Sequence, residues 1–479
     1  MQDNISGKQP SLWLSFLPII ILVALLALTI YIFGSDSLGG GSQVSLLIAT
    51  GVCILIGMGV VRKPWQDFEE AMARNISGVG TAIIILLIIG ALSGAWVVSG
   101  VVPTLIYYGV QVIHPDFFLL CTCIICAIVS VMTGSSWTTI ATIGIALMGI
   151  GKAQGFDEGW IAGAIISGAY FGDKVSPLSD TTVLASSSTG TPLFTHIRYL
   201  MYTSVPSMTL ALIIFAIAGL SYDASDTSHI ALFTEALGNK FDISLWLLIV
   251  PVITGILIAK RVPSIITLFV STVLAIVMAV IFQPHLLAEI AGDSSHWTDS
   301  IRGVFMTLYG PTSLDAGSAE VNELIATRGM SGMMDTIWLI ICAMCFGGAM
   351  TAGGMLESIT RLFVRFTRRC TSMVASTVAS GLFFNLSTAD QYISIILTSN
   401  MFRDIYKRGG YESRLLSRTT EDAVTVTSVL VPWNTCGMTQ ATILGVATLT
   451  YLPYCFFNLI SPLMSILVAW TGYKIIKKK

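Results

Sequence analysis

Long apolar segments separated by short polar ones run through most of the chain. A helix rises about 1.5 Å per residue, so about 20 apolar residues are needed to cross the hydrocarbon layer of a bilayer. The pattern therefore predicts an all-α integral membrane protein of about 10 spans plus 2 hairpins. The clear apolar segments are 12–33, 44–61, 79–101, 199–220, 242–259, 263–282, 334–352 and 453–475.

Composition supports a membrane protein and excludes several other classes. Hydrophobic residues make up 54% of the 479 and charged residues 11%, whereas a soluble domain carries roughly 25% charged residues. The nine cysteines are scattered through apolar segments and indicate no disulfide framework. Cysteines and the five histidines form no zinc motif, and no Walker A sequence is present, which argues against ATP-driven pumping.

Clusters of basic residues orient the predicted spans, because lysine and arginine accumulate in cytoplasmic loops. We therefore expect these clusters and both termini on the cytoplasmic side. The acid-rich segments 221–242 and 284–301 should face outward. The basic clusters are 62–74, 260–261, 361–369, 403–418 (which ends at Arg418) and 477–479.

Two segments are predicted to be helical hairpins with polar tips. Residues 371–402 lie between two basic clusters and centre on "FNLSTADQY", with apolar arms that are too short to span. Such a segment enters and leaves the membrane by the same face, as a re-entrant hairpin. Residues 117–151, centred on "MTGSSWTT", have the same form, but both of their ends are expected outside.

Two helices are predicted to be discontinuous within the membrane. The stretch "FGDKVSPLSDTTVLASSSTGTP", residues 171–192, is polar and contains Pro177, which removes a backbone donor. We interpret it as the break and second half of a helix that begins near Trp160. Its partner is 417–452, broken near Pro432 to Gly437. Irregular backbone at membrane depth persists only where protein or a watery cavity satisfies its polar groups.

The hairpins and the broken helices recur at equal spacing. A shift of 254 residues carries 133–136 onto 387–390, and carries Asp180 and Thr181 onto Asn434 and Thr435. Because the two halves enter from opposite faces, the pattern predicts inverted repeats. The resulting division is 1–78 (N-terminal scaffold spans), 79–220 (first inverted repeat), 221–333 (scaffold spans and outward loop) and 334–479 (second inverted repeat).

Oxygen-rich breaks and tips suit a hard alkali cation. Burial disfavours a charged carboxylate and a bound cation restores it, so that one site can hold either a proton or Na+. We hypothesise that Na+ binds at Asp180 and neighbouring oxygens, with Asp173 as the second carboxylate. Ser179, Thr181 and the hairpin tip would hold Asp180. The other candidates are Thr133, Ser135, Ser136 and Ser176 in the first repeat, and Thr388, Asp390, Asp422, Asn434 and Thr435 in the second.

Each candidate also has a structural interpretation. Asp173 and Lys174 are adjacent and could form an ion pair at the membrane boundary, with Lys174 snorkelling to the surface. Hydroxyls such as that of Ser176 can cap helix ends. Glu421 and Asp422 follow basic residues closely, so a surface salt bridge is as good an account of them as ion coordination.

The segments "YFGDKVSPLSDTTVLASSSTGT" and "VPWNTCG" closely resemble the NhaC family of Na+/H+ antiporters. The family motif falls on Gly172, Asp173, Ser176, Pro177, Ser179, Asp180, Thr181, Trp433, Asn434 and Thr435. The family looks like part of the ion-transporter superfamily, whose members are similar in moving a transport domain against a scaffold. The resemblance implies a homodimeric transporter, not an enzyme, of the bacterial cytoplasmic membrane. Its partners would be Na+, H+ and the lipid bilayer, with no resident cofactor and no nucleic acid.

Two functions remain open. The first is Na+/H+ antiport, which needs only an oxygen-lined cation site. The second is Na+/H+-coupled exchange of small organic acids (malate/lactate-like) or of amino acids, which also needs groups such as helix N-termini or a buried arginine. Lys174 is the one basic residue predicted inside a central apolar span, which favours the first. The paired interruptions favour alternating access over a channel.

Overall fold

The computed structural model describes residues 9–33, 39–221, 227–260, 262–292, 297–364, 367 and 369–476. Within them the fold is all-helical, with a single isolated β-bridge between Thr312 and Thr327. Part of the orientation argument rests on basic residues that lie outside the described ones, namely Arg261, Arg365, Arg368 and Lys477 to Lys479.

The α-helices follow one another along the whole described chain. They are α1 Leu12–Phe33, α2 Gly41–Ile56, α3 Trp65–Gly78, α4 Gly80–Val98, α5 Val101–Val112, α6 Pro115–Thr133, α7 Ser136–Thr139, α8 Ile145–Ala153, α9 Glu158–Val175, α10 Asp180–Thr189, α11 Leu193–Ser221, α12 Thr227–Lys240, α13 Ile249–Ala259, α14 Ser264–Phe282, α15 Pro284–Ala291, α16 Trp297–Tyr309, α17 Ala319–Ile325, α18 Met334–Ala352, α19 Met355–Val364, α20 Cys370–Ser387, α21 Gln391–Arg408, α22 Ser413–Thr420, α23 Thr435–Leu444, α24 Thr448–Tyr451 and α25 Phe456–Thr471. Three π-helical segments continue helices, at Gly57–Val61, Ile140–Gly144 and Glu421–Thr425.

Seven of the described helices are long and apolar enough to cross a membrane, or up to nine if each of two bent pairs is one span. The chain is therefore a multi-pass membrane protein, with fewer uninterrupted spans than the ten predicted. One of the seven is α6, the first arm of the first hairpin. The expectation that hairpin arms are too short to span is thus wrong for this arm, whose helix extends to Pro115 because proline is well tolerated in the first turn.

Both predicted hairpins have their polar tips where the sequence places them. α6 ends at Gly134, in the left-handed conformation (φ 67°), and the chain returns through α7 and α8. Phe118 at the start of α6 lies 5.2 Å, centroid to centroid, from Phe156 just after α8, so the arms are antiparallel. We call residues 133–136 the first tip.

The second hairpin consists of α20 and α21. Its arms are also antiparallel, because the Thr377 and Tyr406 hydroxyls, both remote from the turn, are 3.0 Å apart. Ala389 at the turn has a positive φ of 58°, a conformation that non-glycine residues rarely adopt. We call residues 387–390 the second tip. The orientation of the two hairpins relative to the membrane stays a prediction.

Both predicted helix breaks are present. α9 ends at Val175 and α10 starts at Asp180, with Pro177 in a turn between them that the Ser179 N–H closes by donating to the Ser176 carbonyl. In the second half, α22 passes through a π-helical turn and a short 3-10 turn, and α23 starts only at Thr435. Each tip contacts a break. A Cβ on Gly134 would lie 2.6 Å from the Leu178 carbonyl carbon, and the Thr435 N–H donates to the Ala389 carbonyl at 2.9 Å.

The broken helices of one half pack among the hairpins and helices of the other. α10 packs on α21, while α25 packs on both α9 and α20. Elsewhere, α14 packs on α4, and α18 packs on α2 and α3. In the segment 284–333, which is predicted to face outward, α16 packs on α4 and α15. The division into scaffold and repeats, and a dimer contact through the scaffold, remain predictions.

Candidate functional site

The two tips and the two helix breaks surround one cavity of about 830 Å³, which we call the central cavity. Residues of the first tip and of the α9–α10 break line it from one half, and Asp390 and Thr435 line it from the other. The wall opposite the tips comes from α4 and from the turn between α13 and α14, including Val262 and Pro263. The sequence therefore predicted the convergence of breaks and tips correctly.

Asp173 is the best-connected carboxylate at this cavity. One of its oxygens accepts hydrogen bonds from the Ser136 hydroxyl at 2.7 Å and the Ser136 backbone N–H at 3.2 Å. The other oxygen accepts from the Ser179 hydroxyl at 2.5 Å. Ser136 is the first residue of α7, so the carboxylate lies at a helix N-terminus, where backbone dipoles favour negative charge. Asp173 is 6% exposed and reaches the cavity wall.

Close helix packing brings Asp173 to the first tip. α9 carries Gly168 and Gly172 on the face that packs against α6. A Cβ on Gly168 would lie 2.1 Å from the Cys123 carbonyl oxygen, and one on Gly172 would lie 2.4 Å from the Ser130 Cβ. Small residues at this spacing allow two membrane helices to approach closely. The last turn of α9 is therefore held directly over the first tip.

Asp180 occupies a different position from the one we expected. It is the first residue of α10, its side chain is exposed, and it lines the central cavity. The hydrogen bonds that we predicted for it, from Ser179 and from the tip, go to Asp173 instead. The reason is the break at Pro177, which turns the chain so that the end of α9, not the start of α10, faces the first tip.

The second half offers Asp390, which is 2% exposed and also lines the cavity. One carboxylate oxygen caps α21 by accepting from the Ile393 N–H at 2.9 Å. The other accepts from the Thr435 hydroxyl at 3.3 Å. The carboxylate thus lies on the tip and the hydroxyl on the broken helix, whereas in the first half Asp173 lies on the broken helix and Ser136 on the tip.

Three predicted residues of the first half, Thr133, Ser135 and Thr181, line the cavity and also make local contacts. Ser179 caps α10 and is 2.9 Å from the Thr181 hydroxyl, which lines the cavity. Ser135 caps α7 through the Thr138 N–H and lines the cavity. Thr133 also lines it, and its hydroxyl accepts from the Ser135 N–H at 3.0 Å.

Other predicted residues make hydrogen bonds to nearby backbone or side-chain groups and do not line the cavity. The Ser176 hydroxyl donates to the Val131 carbonyl at 2.8 Å, joining the α9–α10 break to α6. The Thr388 hydroxyl donates to the Asp390 carbonyl of its own tip at 3.1 Å and lies 2.8 Å from the Ser394 hydroxyl of α21. Asn434 caps α23 and donates to the Asn385 carbonyl at 3.1 Å. For Ser176 the capping interpretation is the one that the contacts favour.

Asp422 does not lie at the cavity but in a buried charge cluster, which we define as Lys174, Arg418, Glu421 and Asp422. Every member is 0% exposed. Lys174 forms an ion pair with Asp422 and donates to the Ser461 hydroxyl at 2.7 Å. A boundary pair of Asp173 with a snorkelling Lys174 is therefore wrong, and so is a surface salt bridge at Asp422. Arg418, predicted as part of a cytoplasmic basic cluster, is buried within the protein, and its guanidinium lies 4.7 Å from the Tyr199 ring centroid.

The described charged side chains that line the central cavity are all acidic. Its described lining includes Asp173, Asp180 and Asp390 but no lysine, arginine or histidine. The described residues contain no group of three or more His, Cys, Asp or Glu side chains that could hold a metal ion as a coordinated cluster. Asp173 and Asp390 are instead each accompanied by hydroxyls. This arrangement suits a monovalent cation, for which one carboxylate and neutral oxygens suffice.

Four lining residues next to the predicted ones were not anticipated, namely Trp137, Thr138, Gln391 and Tyr392. Gln391 joins the second tip to the broken helix, because its carbonyl oxygen accepts from the Ser428 hydroxyl at 2.7 Å. Gln391 and Tyr392 belong to the polar stretch that marks the second tip, so extending the candidate site by one helical turn after each tip would have found all four.

Comparison with known proteins matches residues 168–473 to the model of the Na+/H+ antiporter family. The match covers more than half of the chain, including the end of α9, α10, the second hairpin and the second broken helix. The chain belongs to the Na+/H+ antiporter family. The NhaC resemblance of the motifs is thereby confirmed, and the family is one of transporters.

Curated relatives cover nearly all of the chain. This chain is 36% identical over 431 residues to the Na+/H+ antiporter NhaC of Alkalihalophilus pseudofirmus, and the match covers 89% of this chain and 90% of the relative. It is 36% identical over 432 residues to the malate-2H+/Na+-lactate antiporter of Bacillus subtilis (90% and 89%). It is 32% identical over 485 residues to the arginine/ornithine antiporter ArcD of Halobacterium salinarum (100% and 95%). Relatives that are 32–36% identical to this chain are thus named for the transport of different solutes.

Proposed function

We propose that this chain exchanges Na+ for H+ across the bacterial cytoplasmic membrane by alternating access. The observation that carries the proposal is the central cavity, which is lined by three carboxylates and by no basic residue among those described. Such a lining attracts a cation and repels an anion. Membership of the Na+/H+ antiporter family agrees with this cargo.

Asp173 is our proposed exchange carboxylate, in place of Asp180. The Ser136 and Ser179 hydroxyls now donate to it, but each hydroxyl also has lone pairs and can rotate to present them to a cation. A bound Na+ would stabilise the charged carboxylate, and a proton would neutralise it when Na+ leaves. The two ions then compete for one group, which is sufficient for exchange. Asp180, exposed to the cavity, would attract the entering cation.

The composition of the cavity walls supports the proposal of alternating access. Hairpin tips and broken helices form one wall, and α4 with the α13–α14 turn forms the other. The first group would slide along the second, as in an elevator-like movement. The basic residues 260–261 are expected on the cytoplasmic side, and Val262, Pro263 and Ser264, which follow them directly, line the cavity, so we infer that the present conformation opens inward. A homodimer held by the scaffold belongs to the same proposal.

The decisive experiment uses purified protein in sealed vesicles that contain a pH-sensitive dye. We expect external Na+ alone to drive proton movement, Asp173→Asn to abolish it, and Asp180→Asn to raise the half-saturating Na+ concentration. Asp116→Asn is the matched control, because Asp116 is a partly exposed residue paired with His114 and outside the cavity lining. Full proton movement in Asp173→Asn would disprove the assignment of the carboxylate, and none in the unmodified protein would disprove Na+/H+ exchange.

Exchange of an organic solute is the second candidate. The central cavity, at about 830 Å³, is far larger than one cation requires and lies in the range of small-molecule sites. Two relatives are named for malate with lactate and for arginine with ornithine. Adding these four solutes to the vesicles separates the candidates. Proton movement that requires one of them would establish the second function, and the acidic lining leads us to expect a cationic amino acid before an organic anion.

A further inference from the structure

The buried charge cluster has no role in the cation site, although it lies directly behind it. Lys174 follows Asp173 in sequence, and its ammonium group points away from the cavity to Asp422. The carboxylate oxygen of Asp422 that binds Lys174 also accepts from the Thr203 hydroxyl at 3.1 Å. The cluster thereby joins α9 and α11 of the first half to the α22 region of the second.

Glu421 and Arg418 are the members of the cluster that make no hydrogen bond among the described residues. Arg418, however, lies 3.9 Å from Asp422 and over the Tyr199 ring, whereas Glu421 has no ion pair in the described part of the chain. Both carboxylate oxygens of Glu421 are buried, and the Thr425 hydroxyl, one turn further along, is positioned to interact with them. Asp422, by contrast, holds Lys174 and lies 3.9 Å from the Arg418 guanidinium. A charged carboxylate without hydrogen bonds is costly in the interior, whereas the protonated acid is tolerated far better. Glu421 is therefore the member of the cluster whose burial becomes most favourable when it binds a proton.

The surroundings of Glu421 contain few other charges. Lys174 and Asp173 reach it from α9, and Asp422 is its neighbour on the same π-helical turn. Arg418 lies one turn earlier in α22. α20 and α25, which pack on this turn, contain no Asp, Glu, Lys or Arg, and α10 contributes only Asp180 at its first residue. α21 also packs on this turn, and its charged residues all lie in its last two turns: Arg403, Asp404, Lys407 and Arg408.

Charge balance links this cluster to the cation site. Together with Asp173, the region holds two basic and three acidic side chains, all buried. With every group ionised there is one negative charge in excess. Na+ at Asp173 removes that excess, and so does one proton on Glu421. A low-dielectric interior strongly favours states that are close to neutral.

We propose that Glu421 is a proton-binding site separate from Asp173, which takes up a proton when Na+ leaves and releases it when Na+ binds. The inference rests on the proposed function and revises it in one respect: the proton that replaces Na+ is bound by Glu421 and not by Asp173 itself, so that the two cargoes bind two carboxylates. Asp173 binds the cation in the cavity. Glu421 binds the proton behind it, and Lys174, adjacent to one and close to the other, couples their charges.

The test measures cation and proton movement separately in Glu421→Gln, whose amide mimics the protonated acid. Vesicles are assayed both for exchange of radioactive Na+ against unlabelled Na+, which moves no net proton, and for Na+-driven proton movement. We expect Glu421→Gln to keep the first, with a raised half-saturating Na+ concentration, and to lose the second. Glu357→Gln, at an exposed pair 3.2 Å from Arg361, is the matched control and should keep both.

The outcomes distinguish the two proposals. If the unmodified protein shows no Na+-driven proton movement, the proposed function fails. If it does and Glu421→Gln moves protons equally well, only the inference about Glu421 is overturned. Loss of both activities in a folded Glu421→Gln also overturns it, because the cation and proton sites would then be one.

A second measurement needs no variant and decides the matter if Glu421→Gln does not fold. Infrared difference spectra of the unmodified protein, with Na+ minus without Na+, reveal the carbonyl stretch of any carboxylic acid that loses its proton. The protein is prepared with carbon-13 in glutamate or, separately, in aspartate. A band that shifts with labelled glutamate supports the proposal, and one that shifts only with labelled aspartate overturns it.

Discussion

The close contact of α6 with α9 gives a sharp prediction at Gly172. In Gly172→Ala the new Cβ would lie 2.4 Å from the Ser130 Cβ, 2.5 Å from the Val131 nitrogen and 2.6 Å from the Ala127 carbonyl oxygen. Two of these are backbone atoms of α6 and cannot rotate away. The helices would have to separate by about 1 Å to restore ordinary contact distances.

The expected cost comes from packing and from hydrogen bonds. Overfilling a tight contact typically costs about 1–3 kcal/mol. Separation also stretches the Ser176 bond to the Val131 carbonyl and the Ser136 bond to Asp173, now 2.8 and 2.7 Å. Each such bond contributes on the order of 1 kcal/mol. We therefore expect Gly172→Ala to lower the melting temperature of the purified protein by several degrees and to weaken Na+-driven proton movement.

The chain supplies a control with the same chemical change. Gly255 lies inside α13, and a Cβ there would meet nothing within 4 Å. Gly255→Ala should leave transport unchanged and stabilise the protein slightly, by roughly 0.5–1 kcal/mol, because alanine loses less backbone entropy than glycine. Thermal unfolding of both variants in detergent, followed by vesicle assays, makes the comparison. Equal melting temperatures for the two would refute the close approach of α6 and α9.

Three further predictions follow from named contacts. Lys174→Met leaves Asp422 buried without its ion partner and should lower the free energy of unfolding by roughly 3–5 kcal/mol. Adding Asp422→Leu should recover most of this loss in thermal unfolding. A double variant as unstable as Lys174→Met alone would contradict the prediction. Thr435→Val removes the donor to Asp390 and should raise the half-saturating Na+ concentration in vesicles, whereas Thr439→Val, whose hydroxyl bonds only the carbonyl one turn back, should not. Ser187→Cys in the central cavity should react with a membrane-impermeant thiol reagent added from the cytoplasmic side, above the labelling of the parent protein; labelling from outside alone would reverse our orientation of the cavity.

The sequence was sufficient for the features that arise from interactions between near neighbours. Pro177, with no backbone donor, interrupts α9–α10, and Gly134 adopts the left-handed conformation at the first tip. Ser135, Ser179, Asp390 and Asn434 all cap the helices that follow them. These contacts span two or three residues, so the positions of breaks and tips were predictable from local chemistry.

The assignment of partners to the buried charges was not predictable in this way. Asp173 and Asp180 are seven residues apart in the same polar stretch, and which of them meets Ser136 depends on how closely α9 approaches α6. Lys174 and Asp422 are distant in sequence, and Arg418 looked like one more member of a cytoplasmic cluster. Positive charge in a sequence indicates topology only when the residue lies outside the packed interior.

What the sequence by itself determined is therefore the class of protein and the place of its site. Apolar length requires membrane helices, and polar breaks at matched spacing require a shared interior cavity, because irregular backbone is not tolerated against lipid. What only the tertiary structure decided is which carboxylate faces the cavity donors, which one is exposed, and which is left without a partner. Those outcomes depend on contacts between helices far apart in the chain, and the energy of a buried charge depends on its few nearest neighbours.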